Sequence, residues 1–535
     1  MTAPAPPSGS TDVLVVGAGP TGLALALSLV RAGVVPRVVD GRARIEPESR
    51  ALDVQARTLE LYAQLGVADA LVGRGTRVHR LEVRTGGRRV ASVPLTDAGR
   101  GLSAYPFLLC CPQDEHERLL VDELAAAGVQ VEWSTTLTAA REVGDRVRVT
   151  LAGPDGAVGQ SDVGYLCGSD GARSTVREAT GVPFRGDASE QAYFVADVVA
   201  TGPVAPRDSA DRGLFTFCLD EDDFVLVVPA QRDRTSRIIG RVPSTTAGGT
   251  EVGFEDLRTV VERATASRVD HVSWFSTYRV SHRVADHLRV GRMFLLGDAG
   301  HLHSPLGGQG MNTGIADAVN LGWKLAAVLQ GRSDPRLLDT FEPERIGFAR
   351  SLVATTDRLF RLVDGAGRRH RLARSVLFRT LLPTALRLRA TRGAVVGGVS
   401  QVRVRYRSSA LSSGRAGRVR GGDRLPWVST GGGHHNHEPL ASLDWQLHVY
   451  GSASAALRRA AGRRSLALHE FAWTPRARTA GLRRDAAYLV RPDGYLALVD
   501  TGQRVRPLEE LLDAFALVTR GAATAAAGLS GADGR

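Results

Sequence analysis

The sequence contains a short glycine-rich segment whose residue types and spacing could bind a pyrophosphate. In the run GAGPTG, Gly17 permits a tight turn, Gly19 lets the backbone approach a phosphate, and Gly22 allows close packing of helix on strand. Pro20 and Thr21 follow at a predicted helix start, where free backbone N–H groups and a partial positive charge favour anions. The spacing predicts a dinucleotide-binding site.

The elements around this segment are those that such a site requires. An apolar run, Thr11 to Val16, predicts a buried strand before the glycines, and LALALSLVRAG predicts a helix that ends at Gly33. A second strand, Val35 to Val39, stops at Asp40, about 20 residues after the glycines. Its carboxylate can accept hydrogen bonds from both ribose hydroxyls of an adenosine, which favours FAD or NAD over NADP.

Two further segments place an acid at the end of a predicted strand. In GRMFLLGD, Asp298 follows the strand and could bind the hydroxyls of a polyol, and the glycine-rich loop GGQGMN then precedes a helix predicted from Thr313 to Leu329. In YLCGSDGARSTVR, Asp170 precedes Gly171, and Ser174 is a plausible helix cap. Taken alone, this second segment is equally typical of an ordinary strand, turn and helix.

Together, the three motifs resemble the class A flavoprotein monooxygenases, which are aromatic hydroxylases with a fused FAD domain. The order and spacing match, as does the segment SRALDVQARTLE at residues 49–60, and the resemblance covers roughly residues 10 to 360. It extends more weakly to LVRPDG at 489–494, which looks like the C-terminal thioredoxin-like domain of members from antibiotic pathways. One departure is Gly300 before His301 and Ser304 before Pro305, where members commonly have Ala-His and Pro-Pro.

The resemblance implies a role for each matching residue. Asp40 would hold the adenosine ribose, Arg50 and Gln113 would contact the pyrophosphate and ribityl portion, and Asp298 would bind the ribityl or pyrophosphate region. Asp170 would serve both FAD and NAD(P)H, and Pro305 would lie beside the flavin C4a atom, so these two are the catalytic candidates. The backbone N–H groups that would face the pyrimidine end of the flavin belong to Gly308, Gly310, Met311 and Asn312.

The resemblance also implies the reaction. NADPH or NADH would reduce FAD, the reduced flavin would add O2 at C4a, and the hydroperoxide would hydroxylate an electron-rich ring of a polycyclic aromatic, polyketide-type phenol. Baeyer–Villiger or other ring-modifying oxygenation and inactivation of an antibiotic remain alternatives within this chemistry. A flavin halogenase is disfavoured, because the six tryptophans lack the W-x-W-x-I-P spacing. A flavin- or ligand-binding protein without turnover is the non-enzymatic alternative. No catalytic base is identified.

We expect an α/β protein: a Rossmann-like FAD domain interleaved with an antiparallel β-sheet substrate domain, followed by a thioredoxin-like domain. Strand-like runs between 182 and 284 are expected to cover the flavin, and Phe215, Phe217, Phe224 and Tyr193 are candidates to contact substrate, with burial in the core as the other interpretation. The expected ranges are tails 1–10 and 528–535, FAD domain 11–75, 101–181 and 285–395, substrate domain 76–100 and 182–284, linker 396–425, and thioredoxin-like domain 426–527.

Charge and cysteine content favour no other class of partner. The 535 residues carry a net charge of +12 and a pI near 10.2, but Lys324 is the only lysine and the arginines are spread along the chain. We therefore expect no nucleic-acid partner. The start lacks a signal peptide and no apolar run is long enough to span a membrane, so a cytoplasmic monomer or homodimer is expected.

No metal site is expected either. The four cysteines are too few and too irregularly spaced for a disulfide framework, and Cys110 and Cys111 are expected to be buried thiols. His301 and His303 are interpreted as structural residues of the flavin loop. The segment GGGHHNHEP, which contains His434, His435 and His437, is interpreted as a mobile loop, because no cysteine or acid cluster accompanies it.

Overall fold

The chain was described in a computed structural model, in which strands and helices are numbered here in chain order. The described residues are 11–47, 51–96, 99–205, 213–220, 223–229, 235–243, 252–302, 308–351, 391, 393 and 397–522. The expected tails at 1–10 and 528–535 lie outside them. Among the described helices, none has the length and apolar character needed to cross a membrane.

The first sheet is built around the apolar strand that precedes the glycine-rich segment. Strand β1 (Thr11–Val16) pairs in parallel with β2 (Arg37–Asp40) and with β11 (Val158–Gly168). Its valine and leucine side chains are buried, as expected for a strand covered on both faces. The remaining strands of this sheet are β8 (Val131–Trp133), β9 (Thr136–Val143), β10 (Arg146–Ala152), β17 (Arg289–Val290) and β18 (Met293–Leu295). The order is β17-β18-β11-β1-β2-β8, with β10 and β9 extending from β11.

Two helices that follow glycine-rich turns pack against each other beside this sheet. Helix α1 (Pro20–Arg31) has Pro20 in its first turn, and helix α7 (Gln309–Leu329) begins four residues before the predicted Thr313. The earlier start follows from Gly308, whose left-handed backbone makes the turn into the helix. The other helices are α2 (Ala56–Gln64), α3 (Ala68–Arg74), α4 (Gln113–Ala126), α5 (Thr175–Thr180), α6 (Glu255–Thr265), α8 (Ala455–Arg463), α9 (Pro475–Thr479) and α10 (Val505–Ala514).

A second large sheet is formed mainly by the middle of the chain. Its strands are β5 (Arg80–Thr85), β6 (Arg88–Pro94), β12 (Phe184–Thr201), β13 (Leu214–Asp220), β14 (Asp223–Pro229), β15 (Thr235–Arg241), β16 (Arg268–Ala285) and β19 (His301–Leu302). The order is β19-β16-β12-β15-β14-β13-β5-β6. The pairs are antiparallel apart from β5 and β13, which run parallel, so the expectation of a wholly antiparallel sheet is wrong at this edge. The reason is that β5 comes from a distant part of the chain, so no hairpin turn requires it to run antiparallel to β13.

A small three-stranded sheet lies where the chain passes between the two large sheets. It consists of β3 (Asp53–Val54), β7 (Leu108–Cys110) and β4 (Thr76–Val78), with β7 in the centre. Strand β4 is followed after one residue by β5 of the second sheet, whereas β3 leads into α2. Residues of this small sheet can therefore contact both layers.

The C-terminal part forms a separate mixed sheet. Its strands are β20 (Ser413–Ala416), β21 (Val419–Arg420), β24 (Gln446–Tyr450), β25 (Ala467–Phe471), β26 (Ala487–Val490) and β27 (Leu496–Asp500), in the order β21-β20-β27-β26-β24-β25. Strand β20 pairs with β27, although it lies inside the range 396–425 that was interpreted as a linker. Part of that range is therefore sheet, because Ala416 and Val419 are buried in the C-terminal core.

The histidine-rich segment is not a loop, so that interpretation is wrong. Strands β22 (Ser429–Gly431) and β23 (His434–His435) pair as a hairpin around three glycines with positive φ. His437 is buried, and its Nε2 lies 2.9 Å from the carbonyl oxygen of Leu425. Because Leu425 belongs to the C-terminal core, this contact holds the segment against that core. Within the described ranges, no three His, Cys, Asp or Glu residues are arranged to hold a metal. The four cysteines are all buried and free, which confirms the interpretation of Cys110 and Cys111.

Candidate functional site

The glycine-rich turn after β1 is shaped by close backbone contacts. Gly17 has φ +100°, and a Cβ there would meet the backbone carbonyl of Ser169. A Cβ at Gly22 would meet the carbonyl oxygen of Gly17. Gly19, in contrast, has open space where a side chain would stand, and it caps α1 without a side-chain hydrogen bond. The start of α1 therefore has free space beside Gly19 and no side-chain cap, with Pro20 and Thr21 in the first turn.

Asp40 ties the end of β2 to this turn. Its Oδ2 accepts a hydrogen bond from the Ala18 N–H at 2.6 Å, and its Oδ1 accepts one from the Arg42 N–H at 2.8 Å. The Arg42 guanidinium also pairs with Asp40 and lies over the ring of Trp133, 5.8 Å from its centroid. The Arg42 side chain remains 27% exposed, so it can move away from a carboxylate that is itself held by the backbone.

A cleft opens beside Trp133 at the same edge of the sheet. It has a volume of about 440 Å³ and is lined by Arg44, Ile45, Pro47, Arg118, Val121 and Trp133. Two arginines and an indole ring give it the chemistry to bind a flat ring system by stacking. None of these residues was singled out by the sequence, because they come from three distant places: the segment after β2, helix α4 and the end of β8.

Asp170 lies directly against the glycine turn, since Gly17 contacts the backbone of Ser169 and Asp170. Its Oδ2 accepts from the Val176 N–H at 3.1 Å, whereas Oδ1 is buried and has no hydrogen-bond partner among the described residues. Burial raises the pKa of this carboxyl. Ser174 caps α5 by accepting from the Arg177 N–H at 3.0 Å, as the sequence predicted.

The segment that contains Asp298 contacts the first turn from the other side. Gly297 has φ +56°, and a Cβ there would lie 2.7 Å from the Thr21 hydroxyl oxygen. Asp298 itself is exposed in the short 3-10 turn Gly297–Ala299 that follows β18. The three glycine–acid motifs, which are up to 280 residues apart in the chain, therefore meet at the N-terminal end of α1.

A buried carboxylate behind this segment fixes its backbone. Asp317 Oδ2 accepts from the Gly297 N–H at 3.0 Å and lies 2.7 Å from His301 Nε2, and its Oδ1 accepts from Arg345 Nε at 2.5 Å. Although burial raises its pKa, the charges of Arg345 and His301 bring the pKa of Asp317 down to about 2. His301 thus has a structural role, as the sequence indicated, and His303 lies outside the described residues.

The loop before α7 is tied to the segment that follows β3. Asn312 Oδ1 accepts from the Gln55 N–H at 2.9 Å and from the Thr58 hydroxyl at 2.6 Å. Its Nδ2 donates to the carbonyl oxygens of Asp53 at 2.8 Å and Gly308 at 2.7 Å. The Asn312 side chain therefore holds Gly308, at the start of α7, against the segment that follows β3. Gly310 and Met311 are partly buried in the first turn of α7.

Gln113 begins α4 and contacts a segment far away in sequence. Its Oε1 accepts from the Ala51 N–H at 3.3 Å, its backbone N–H donates to the Ala51 carbonyl at 3.1 Å, and its Nε2 donates to Glu117 at 2.7 Å. Gln113 therefore joins the start of α4 to the backbone of Ala51. Arg50 and Pro305 lie outside the described residues.

Three of the four aromatic candidates for substrate contact form one cluster. The rings of Phe217 and Phe224 stack at 5.5 Å, and Tyr193 lies 6.4 Å from Phe224 and 6.0 Å from Tyr278. Phe215 belongs instead to the neighbouring cluster, which also contains Cys110. Both clusters lie on the face of the second sheet opposite to α6. Tyr193, Phe215 and Phe224 are more than nine-tenths buried.

Polar groups on the same face of this sheet were missed by the sequence analysis. Arg237 donates two hydrogen bonds to Asp197, at 2.7 and 2.6 Å, and lies 5.5 Å from the centroid of the Trp274 ring. For Asp197 a sequence signal was present, because it interrupts the apolar run of β12, whereas Arg237 follows Thr235 and Ser236 and gives no such signal. A charged residue inside a buried strand is expensive unless it is paired.

Comparison with known proteins finds similarity along most of the chain. The model of the family described as FAD binding domain matches residues 10–356. The chain is 35% identical to the 6-methylpretetramide 4-monooxygenase of Streptomyces rimosus, over 93% of this chain and 92% of that protein.

Two solved structures have similar folds. The anhydrotetracycline hydroxylase OxyS from Streptomyces rimosus superposes with a TM-score of 0.74 at 28% identity, covering 95% of this chain and 99% of that one. PyrE3, described as a Diels-Alderase in the biosynthetic pathway of pyrroindomycins, superposes with a TM-score of 0.72 at 30% identity and covers the same shares of the two chains. These likenesses confirm the mixed α/β fold expected from the sequence.

Proposed function

This chain belongs to the FAD-binding family of class A aromatic monooxygenases, and from that premise we propose that it is an NAD(P)H-dependent hydroxylase of a polycyclic, polyketide-type phenol. The observation that carries the proposal is the meeting of the three glycine–acid motifs at the start of α1. A site of this kind serves a dinucleotide whose pyrophosphate lies over uncapped N–H groups.

The residues present fit FAD. Gly19 leaves the space that a pyrophosphate needs, and Asp170 has a buried carboxyl oxygen without a partner among the described residues. Asp40 would bind the adenosine ribose once the Arg42 guanidinium moves aside, and the cleft beside Trp133 could hold the adenine. Gln113, Arg50 and Asp298 would contact the ribityl and pyrophosphate portion.

The chain's own residues would orient the flavin and adjust its charge. When bound, FAD would supply the redox chemistry that passes electrons from NAD(P)H to O2 and one oxygen atom to the substrate. The N–H groups at Gly308, Gly310, Met311 and Asn312 would face the pyrimidine end and favour its negative charge after reduction. Pro305 would border the reacting edge, and Asp170 would contribute to binding of both FAD and NAD(P)H.

The aromatic face of the second sheet supports a flat substrate. Phe215, Phe217, Phe224 and Tyr193 would contact its rings, and the Arg237–Asp197 pair offers hydrogen bonds to hydroxyl or carbonyl oxygens. The names of two relatives refer to compounds of this class, namely 6-methylpretetramide and anhydrotetracycline. The same site is compatible with Baeyer–Villiger oxygenation or with inactivation of an antibiotic.

A second candidate function is binding or reshaping of a polyketide without oxygenation. The resemblance to the Diels-Alderase PyrE3, at 30% identity over nearly its full length, favours this candidate. It predicts a chain that needs no NAD(P)H for turnover.

One experiment separates the candidates. Purified protein is loaded with FAD, and NADPH and NADH oxidation is recorded with a panel of aromatic polyketides that includes 6-methylpretetramide, with product masses measured. We expect a compound in the panel to stimulate oxidation and to gain one oxygen atom. A flavin spectrum that neither reductant bleaches, with every panel compound recovered at unchanged mass, would overturn the hydroxylase proposal. Failure to take up FAD would overturn both candidates.

A further inference from the structure

A carboxyl group without a role in the site described above lies between the flavin loop and the second sheet. Asp53 is in β3, and its side chain lies against Gly308, where a Cβ would meet the Asp53 carboxylate. On the other side, Cys110 Sγ lies 3.8 Å from Asp53 Oδ1. The carboxyl is thus held between the glycine loop before α7 and the central strand of the small sheet.

The neighbours of Asp53 connect it to the proposed substrate face. Cys110 packs in one cluster with Phe215, Leu52, Val78 and Val228. Burial raises the pKa of the Cys110 thiol, and the positive charge of Arg237, on β15 of the second sheet, partly opposes that rise. Asp53 therefore lies between Gly308, at the start of α7, and the cluster that contains Phe215.

The electrostatic surroundings of Asp53 are unusual for a carboxyl. Facing it are the Cys110 thiol from β7, the backbone of Gly308 and, on its own carbonyl, the Asn312 amide from α7. Among the described residues, no basic side chain shifts the pKa of Asp53. Arg237 donates its hydrogen bonds to Asp197. Burial raises the pKa of Asp53 to about 6, which would let it exchange a proton near neutral pH.

We propose that Asp53 accepts the proton of the substrate's phenolic hydroxyl. The O–H bond breaks, the proton moves to a carboxylate oxygen of Asp53, and the electron pair stays on the substrate oxygen. Electron density then rises at the ortho and para carbons, where the flavin chemistry delivers oxygen. The attacked carbon loses its hydrogen as a proton to solvent, and Asp53 returns its own proton to the phenolate oxygen of the product.

This inference rests on the proposed function, because a proton acceptor for a phenol needs a phenolic substrate. Asp53 belongs to none of the three glycine–acid segments, although it lies in the segment at residues 49–60 that also resembles the family. It assigns the base that the sequence left unidentified.

The first test measures binding without turnover. FAD-loaded protein is titrated with 2-hydroxyanthraquinone and with its methyl ether, 2-methoxyanthraquinone, in wild type, Asp53→Asn and the exposed-site control Asp69→Asn. We expect wild type and the control to prefer the phenol by roughly 10-fold or more, as a hydrogen bond to a charged group implies. Asp53→Asn keeps an amide oxygen that accepts only a neutral hydrogen bond, so its preference for the phenol should fall several-fold below that of wild type. Equal preference in all three proteins, or no binding of either probe to wild type, would overturn the proposal.

The second test follows the substrate found in the NADPH screen. The wild-type kcat/KM should fall on the acid side of about pH 6, and Asp53→Asn should lose this limb together with most of its kcat while retaining FAD. A second variant, Asp53→Ser, guards against a folding defect particular to the amide. If both variants hydroxylate with the wild-type pH profile, the inference fails and the hydroxylase proposal stands. If wild type selects the phenol through Asp53 but oxidises nothing, the hydroxylase proposal fails, and the proton step assigned to Asp53 fails with it.

Discussion

The guanidinium of Arg491 donates two hydrogen bonds to the Glu344 carboxylate, at 2.6 and 2.9 Å, in a place where neither side chain is exposed. Glu344 also accepts from Lys324 on α7 at 2.8 Å, and Arg491 binds Asp493 in the turn between β26 and β27. The sole lysine of the chain is therefore part of a buried network that joins the C-terminal sheet to helix α7.

Replacement of Arg491 should strongly destabilise the protein. In Arg491→Met the carboxylates of Glu344 and Asp493 stay buried with fewer partners, which typically costs about 3–5 kcal/mol. Denaturant unfolding with a fluorescence readout measures the loss. The exposed pair Arg506–Glu510 provides the matched control, since Arg506→Met should cost less than about 1 kcal/mol. Similar losses in the two variants would contradict the assignment of this network as a stabilising link.

The cofactor motifs could be predicted because they depend on local geometry. The turn at Gly17 and the helix start at Pro20 are determined by a few adjacent residues, and both are found as expected. The hairpin at 429–435 and the strand Ser413–Ala416 could not be predicted in the same way. The partner of Ser413–Ala416 is the distant strand β27, and the hairpin contains glycines, histidines and Ser429, which are residues typical of loops.

The polar groups of the site were difficult to predict for a related reason. Asp53 and Arg237 are charged residues within strands, and a sequence alone does not show which face of a strand meets which loop. Asp53 reaches Cys110 only through the small sheet, whose strands come from three separate parts of the chain.

Acidification should destabilise the protein through His116. Burial lowers the pKa of His116 to about 3, whereas an unfolded histidine has a pKa near 6.5. Between these values the unfolded state binds a proton that the folded state excludes, so stability is full above about pH 6.5 and falls as the pH drops toward 3. The expected slope from this one group is about 1.4 kcal/mol per pH unit.

The variant His116→Gln should remove that part of the slope. Urea unfolding at a series of pH values from 7 to 4 gives the free energy of unfolding for wild type and variant. The exposed His271→Gln on β16 serves as control and should follow the wild-type curve. A wild-type slope in His116→Gln would show that the histidine is protonated in the folded state.

Substitution of Gly19 should separate cofactor binding from folding. A Cβ at Gly19 meets no atom within 4 Å, so Gly19→Ala should leave the stability of the FAD-free protein within about 0.5 kcal/mol of wild type. The same Cβ would occupy the space proposed for the pyrophosphate, so FAD affinity should fall at least about 10-fold, a cost of some 1.4 kcal/mol. FAD titration and thermal unfolding measure the two effects.

The comparison variant is Gly17→Ala, whose Cβ would clash with the backbone at Ser169 and whose φ is +100°. It should lose both stability and FAD binding, because strain of this kind costs about 1–3 kcal/mol. If Gly19→Ala binds FAD as tightly as wild type, the pyrophosphate does not lie over the start of α1.

The Asn312 side chain should determine FAD affinity through the position of the loop before α7. The isosteric change Asn312→Asp removes the two hydrogen bonds donated to the Asp53 and Gly308 carbonyls and keeps the oxygen that accepts from Gln55 and Thr58. Unpaired buried carbonyls should lower stability by about 1–3 kcal/mol each. The displaced loop should weaken FAD binding several-fold, as measured by fluorescence titration.

Asn436→Asp is the matched control for this change. Asn436 is also buried, donates to the Pro426 carbonyl at 2.8 Å and lies in the C-terminal hairpin region, away from the loop. It should lose a comparable amount of stability, because the same donor atoms are removed. Its FAD affinity should stay at the wild-type value, since no hydrogen bond of the loop before α7 changes. Equal loss of FAD affinity in both variants would mean that Asn312 acts only through global stability and does not position the loop.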